Sequence, residues 1–160
     1  MIKHTIKPVY DNSSEILILG SFPSIKSREE GFFYGHKSNR FWRVLANIFN
    51  LEVPDTVERK KALLLNNKIA LWDVIAYCDI EGSSDSTIKN VVPNDLSKIF
   101  NEADIRLIIT NGKKADELYC KYLEDVTKIK AVCLPSTSPA NASWSIERLT
   151  EKWSETICNK

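Results

Sequence analysis

Four apolar runs punctuate the chain, at residues 16–19, 69–72, 105–109 and 129–134. Each is continuous rather than alternating, the pattern of strands covered on both faces in a parallel sheet. Between them apolar positions recur at helical spacing. Phe41, Trp42, Leu45, Ile48 and Phe49 predict a helix capped at Ser38 or Asn39. Asp55 with Glu58 makes a capping-box-like start for 57–66, and Asn94 is placed to cap 95–103. Residues 112–123 carry Ala115, Leu118, Tyr119 and Tyr122, while Ile146, Leu149, Trp153 and Ile157 stripe a last helix opened by Ser143 or Ser145. Strand and helix therefore alternate. Right-handed crossovers then predict a three-layer α/β/α sandwich on a four-stranded parallel sheet. Ligands of such sheets sit outside the carboxyl ends of the strands, which selects the loops beginning at Gly20, Asp73, Asn111 and Pro135. Two irregular stretches, 22–37 and 79–92, exceed most connections in compact domains and are functional candidates.

Composition bounds the class. With 160 residues, 43% hydrophobic and 27% charged, and only 5 Gly and 6 Pro, the chain is expected to form one globular domain rather than a fibrous or disordered protein. No apolar run approaches the roughly 20 residues of a membrane span, and residues 1–10 lack a signal-peptide core, so a cytoplasmic protein is expected. Cys78, Cys120, Cys133 and Cys158 form no paired metal-binding spacing and read as reduced, buried or inert thiols. With His4 and His36 as the available imidazoles, neither a metal nor a cofactor is expected. Charge is balanced, 22 Lys and Arg against 21 Asp and Glu, so any contact with nucleic acid needs a local basic patch. Residues 21–45 supply one, with Lys26, Arg28, Lys37, Arg40 and Arg43 against Glu29 and Glu30. The basic run Arg59-Lys60-Lys61 reads as a solvated helix face, and Trp42, Trp72 and Trp153 as core.

The strand-end loops carry distinctive sequences. The first reads Gly20-Ser21-Phe22-Pro23-Ser24 and leads into Phe33-Tyr34-Gly35-His36-Lys37-Ser38-Asn39-Arg40-Phe41-Trp42. The third begins Asn111-Gly112-Lys113-Lys114-Ala115, and the fourth is a stiff run of small residues, Pro135-Ser136-Thr137-Ser138-Pro139-Ala140-Asn141. A sharp turn leaves amides free to grip a phosphate or base edge, and the fourth loop is narrow enough to press its backbone on a nucleic-acid strand. On residue type alone, Asn39 is equally a helix cap and Tyr34 a core aromatic.

These segments, with Leu71-Trp72-Asp73-Val74-Ile75, resemble the uracil-DNA glycosylase superfamily in the same order over nearly the whole chain. They are most similar to its hypoxanthine-DNA (deoxyinosine) glycosylases and its mismatch-specific uracil/thymine branch. The resemblance implies removal of a deaminated base from DNA, hypoxanthine first and uracil as a second candidate, leaving an abasic site; a monomer is expected. Where the mismatch-specific branch places a water-positioning Asn in the first turn, this chain has Phe22; the catalytic Asn of the hypoxanthine branch matches Asn39. Tyr34 matches the aromatic that stacks the flipped base, and the Ser21 and Phe22 amides are placed to stabilise charge on the departing base. Asp73, Ser86 and Asn111 are candidates for reading the base edge. Ser24, His36, Lys37, Arg40, Lys113, Lys114, Ser136, Ser138, Pro139, Ala140 and Asn141 are candidates for contact with DNA. Two other readings remain open: an inactive nucleic-acid-binding protein on the same fold, and a hydrolase of free nucleosides.

Overall fold

The structure, a computed structural model, describes residues 1–159. Its frame is a parallel sheet of β2 (Ile16–Gly20), β3 (Ile69–Asp73), β6 (Leu107–Asn111) and β7 (Val132–Leu134) in the order β3-β2-β6-β7. The chain runs outward from central β2 to β3 and then returns to its other side through β6, so the crevice between β2 and β6 is the switch point in strand order. Register brings the strand ends into line: Gly20 pairs with Asp73, Leu19 with Thr110 and Asn111 with Leu134.

All five β2 residues are buried, as the continuous apolar run requires. Ile16 and Ile18 pack on one face with α2 (Phe41–Ile48), α3 (Val57–Asn66) and α7 (Ile146–Ile157). Leu17 and Leu19 pack on the other with α4 (Ser97–Glu102) and α5 (Lys113–Tyr122). The expected sandwich is therefore present. Short helices α1 (Ile25–Glu30) and α6 (Glu124–Thr127) lie in the connections.

Several local expectations are corrected. β6 starts at Leu107, because Ile105 is buried ahead of the ladder while Arg106 and Leu107 amides both meet the Glu15 carbonyl. β7 shrinks to three residues on the sheet's outer side, where it pairs with β6 alone. Thr56 rather than Asp55 caps α3, its hydroxyl accepting the Arg59 amide. Asn94 caps no helix; its Nδ2 donates to the carbonyls of Asp73 at 2.9 Å and Ile75 at 3.1 Å, pinning the end of β3. The stretch 79–92 is not wholly irregular. Together, β1 (Ile2–Lys3), β4 (Ile75–Asp79) and β5 (Lys89–Pro93) form a second, antiparallel sheet in the order β1-β4-β5 that no apolar run had announced. Of the cysteines Cys78 alone is buried; the other three are exposed, and all four are free. Partial loss of water and the neighbouring carboxylates of Asp116 and Glu124 push the Cys120 thiol above its ordinary value, which disfavours the thiolate. Trp42 and Trp153 are core; Trp72 is half-buried and donates its indole N–H to the Ile6 carbonyl. The Arg59–Lys61 face is more than solvated, since Lys60 lies 5.3 Å from the Trp42 ring centroid and Lys61 6.0 Å from that of Phe32. Among the described residues no helix is long and apolar enough to cross a membrane.

Candidate active site

A cleft of about 360 Å³ opens at the carboxyl ends of β2, β3 and β6, within the size range of small-molecule sites. Its walls come from the four loops the strand-end rule selects. Ser21, Phe22 and Ser24 line it from the first turn, and Tyr34, His36 and Asn39 from the segment before α2. Asp73 and Asn111 contribute from the ends of β3 and β6, and Ser136, Ser138, Pro139 and Ala140 from the last loop.

Gly20 permits the closest approach. A Cβ there would stand 2.4 Å from Asp73 Oδ1 and 2.9 Å from the Tyr34 hydroxyl, so any side chain would displace both. Tyr34 itself holds a left-handed backbone, φ +53°, uncommon for a bulky residue and costing of order 1–3 kcal/mol. That conformation turns its ring onto Phe41, with centroids 4.2 Å apart and 24° between planes, while Tyr34 also lines the cleft. Its hydroxyl accepts from Asn111 Nδ2 at 3.1 Å. Burial, with the nearby Asp73 carboxylate, drives the Tyr34 pKa far above its ordinary range despite the Asn111 bond; the phenol is neutral at any working pH.

Asn39 is both cap and cleft residue. The α2 cap position falls on Arg40, which makes no side-chain cap bond; Asn39 Oδ1 accepts the Phe41 amide at 2.9 Å. The same oxygen accepts the Thr137 hydroxyl at 2.8 Å. Both lone pairs of this oxygen are thus occupied within the protein. The Nδ2 group has no partner among the described residues and remains to hold a ligand. Thr137 is the hub. Fully buried, its hydroxyl accepts from Asn111 Nδ2 at 3.0 Å, and its amide donates to Asn111 Oδ1 at 3.1 Å. Asn111 thus gives both Nδ2 hydrogens to Tyr34 and Thr137 and one lone pair of Oδ1 to the Thr137 amide, and lines the cleft with the second lone pair of Oδ1 still to use.

Arg40 is largely committed within the protein. Its guanidinium donates to the carbonyls of Trp144, of Ser138 at 2.9 Å and of Asn141 at 3.1 Å, while its amide and Nε meet Thr137 O. These bonds use four of its five N–H donors, so the guanidinium staples the last loop and keeps one Nη1–H. Asn141 braces the same loop through Nδ2 to Ser136 O at 3.0 Å. Ser86 lies off the cleft, its hydroxyl 3.0 Å from that of Ser84; Ser83 and Asp85 from the same stretch line the wall instead. Lys37, Lys113 and Lys114 also lie outside the lining, Lys37 and Lys113 exposed. The basic patch is partly consumed internally, because Arg28 donates to Gly82 O and Pro23 O and Lys26 pairs with Glu30.

Thr137, Asp85, Phe33 and Pro23 were not singled out by residue type, and neither was His4, which bonds to Asp73 beneath the cleft. Thr137 sat inside a noted loop with no feature to separate it from its hydroxyl neighbours. Asp85 accepts the Ser21 hydroxyl at 3.0 Å. Loss of water around its carboxylate raises its pKa, with Asp73 adding to this and the Ser21 bond and Lys114 opposing. Among the described residues no cluster of His, Cys, Asp and Glu is suited to a metal ion.

A family model described as the uracil DNA glycosylase superfamily matches residues 7–158, and the chain belongs to that superfamily. It is 39% identical over 156 residues to a hypoxanthine DNA glycosylase of Methanosarcina acetivorans, covering 94% of this chain and 96% of that one. A hypoxanthine DNA glycosylase of Methanosarcina barkeri is 38% identical over 119 residues, covering 73% and 75%. A solution NMR structure from Methanosarcina acetivorans, provisionally designated a uracil DNA glycosylase, superposes with a TM-score of 0.82 at 37% identity and covers 98% of this chain and 97% of that one.

Proposed function

We propose that this protein is a monofunctional glycosylase that hydrolyses the N-glycosidic bond of hypoxanthine in DNA and leaves an abasic site, acting as a cytoplasmic monomer without cofactor. The observation that carries the reading is the junction of Tyr34, Asn39 and Asp73 on one cleft at the switch point, together with the names of the relatives. A base inside a duplex is out of reach and must be flipped, at a cost of a few kcal/mol that is least for a mispaired base. Stacking on the Tyr34 ring returns about 1–3 kcal/mol. Asn39 Nδ2 then holds a water by its oxygen, leaving that oxygen's second lone pair directed at C1′. Cleavage passes through an oxocarbenium-like sugar. The Ser21 and Phe22 amides, which donate to no acceptor among the described residues, stabilise charge on the departing base. No lysine lines the cleft as an amine nucleophile, so water attacks directly. The test is incubation with duplexes carrying one deoxyinosine or one deoxyuridine, followed by alkali. Strand breaks at deoxyinosine are expected; breaks at neither base overturn the reading.

Asp85 is the cleft carboxyl held above its ordinary pKa, and as a carboxylic acid it can donate a proton to the leaving base. Excision should then rise as pH falls through that raised value, and Asp85→Asn should flatten this limb of the kcat/KM profile. An unchanged profile removes Asp85 from the chemistry. Grip on the DNA backbone comes from exposed cations at the rim. Lys37→Ala should weaken binding equally for all sequences and reduce the slope of log K against log salt by about 1.

A further inference from the structure

One wall of the cleft comes from outside the parallel sheet. Ser83 and Asp85, which line it, belong to the tip of the β4–β5 hairpin, the stretch 80–88 beyond the last ladder pair Asp79–Lys89. The tip is closed on itself. The Thr87 hydroxyl donates to Ser84 O at 2.7 Å and accepts the Glu81 amide at 2.9 Å, and the Thr87 amide meets Ser84 O at 3.0 Å. Residues 81–86 are exposed and Ile88 is the buried side chain of the stretch, so little apolar contact holds the tip down and its place depends on polar ties.

Three such ties cross to the first turn and α1. The Ser21 hydroxyl donates to Asp85 Oδ1 at 3.0 Å, the Ile25 amide to Ser83 Oγ at 2.9 Å, and Arg28 Nη2 to Gly82 O at 2.7 Å. Arg28 also donates through Nε to Pro23 O at 3.2 Å, and its guanidinium carbon lies 5.5 Å from the Phe22 ring centroid. One planar fork thus holds a carbonyl of the turn and a carbonyl of the tip at a set separation, which a lysine ammonium does not reproduce. The turn is fixed independently, because the Val74 amide donates to Gly20 O at 2.8 Å and the Ile75 amide to Ser21 O at 3.2 Å. The tip is therefore the part that Arg28 places.

We infer that Arg28 is a positioning residue for excision: its fork draws the hairpin tip onto the first turn, so that the Asp85 carboxyl and the Ser21 and Phe22 amides act on the same departing base. The tie is remote from the carboxyl itself. Arg28 meets the tip at Gly82, while the charges that bear on Asp85 are Asp73 and Lys114, with the Tyr34 phenol and the Cys78 thiol close by. Its effect is geometric. A tip released from the turn carries Asp85 into water and away from the base, and a misplacement of about 1 Å costs about 10²-fold in rate. This inference rests on the glycosylase reading and on the acid role of Asp85 within it, and its test includes a measurement that needs no cleavage.

Two readings are taken on Arg28→Ala. Single-turnover excision of hypoxanthine should fall at least about tenfold, while affinity for a duplex whose 2′-fluoro sugar blocks cleavage changes by about threefold at most. In the free protein, the Asp85 carboxyl followed by NMR titrates above the ordinary carboxylate range, and the variant should bring it down toward that range as water returns. Arg28→Lys keeps the charge, reaches one carbonyl and should fall between in both readings. In an Asp85→Asn background Arg28→Ala should slow excision no further, since residues that act through one another do not add. A mere loop anchor would lower Tm and leave rate and titration of the folded protein alone. A folded Arg28→Ala that lacks either change, or that slows the Asp85→Asn protein as much as the unaltered one, overturns the inference; should it not fold, Arg28→Lys equal to the unaltered protein in both readings does so. If the unaltered protein cleaves no deoxyinosine duplex, the glycosylase reading is overturned, and a titration unmoved by Arg28→Ala separately overturns the placement of Asp85.

Discussion

Asn39→Ala is expected to slow excision of hypoxanthine about 10²–10³-fold, the effect of removing one preorganised hydrogen-bonding group from an active site. The carboxamide is held by two donors, the Phe41 amide at 2.9 Å and the Thr137 hydroxyl at 2.8 Å, so Nδ2 reaches the cleft with little freedom left to lose on binding water. Loss of the helix-start bond should also cost about 1 kcal/mol of stability, small beside the kinetic effect. Single-turnover excision and binding of an uncleavable duplex separate the two: the rate should collapse and affinity should change only a few-fold. Asn39→Asp keeps the acceptor for both anchors and puts a carboxylate oxygen where the N–H donors were. An intermediate rate with a new carboxylate pH dependence is expected. Full activity in Asn39→Ala would remove this residue from the mechanism.

Thr137→Val tests whether the hub matters as the geometry says. The change keeps shape and removes one hydroxyl, which strands an Asn111 N–H and frees one anchor of Asn39. A buried donor left unpaired costs about 1–3 kcal/mol, and in a domain of this size each kcal/mol lowers Tm by roughly 2–4 °C. Excision should fall by roughly tenfold or more through loosened positioning of Asn39. The decisive comparison is the double variant. If Thr137 acts through Asn39, Thr137→Val slows Asn39→Ala no further, since residues in one hydrogen-bond network do not add. Additive losses would place Thr137 on a separate route.

Much of this protein is legible locally. The runs at 16–19 and 69–72 became fully paired strands because burial on both faces of a parallel sheet demands uninterrupted apolar side chains. Segments around Tyr34 and Asn39 fell on one cleft because loops at the carboxyl ends of adjacent parallel strands must converge. Legibility failed where a polar side chain chose between partners. Arg40 reads as a cation for phosphate, but carbonyls of the 137–144 loop lie within reach and take four of its five N–H groups. Asn94 reads as a cap and instead clamps β3.

By itself the sequence determined the layers, the strand-end location of the site and the family, because apolar periodicity and short motifs are local properties of the chain. Only the tertiary structure decided what the polar atoms do there. Thr137 meets Asn39 across 98 positions and His4 meets Asp73 across 69. A hydrogen bond forms within a few tenths of an ångström or not at all, and which donor reaches which acceptor depends on strand register and loop path that no local pattern encodes. Among the described residues, the unpaired Oδ1 of Asp73 and Nδ2 of Asn39 are what remains after those distant partners have been satisfied.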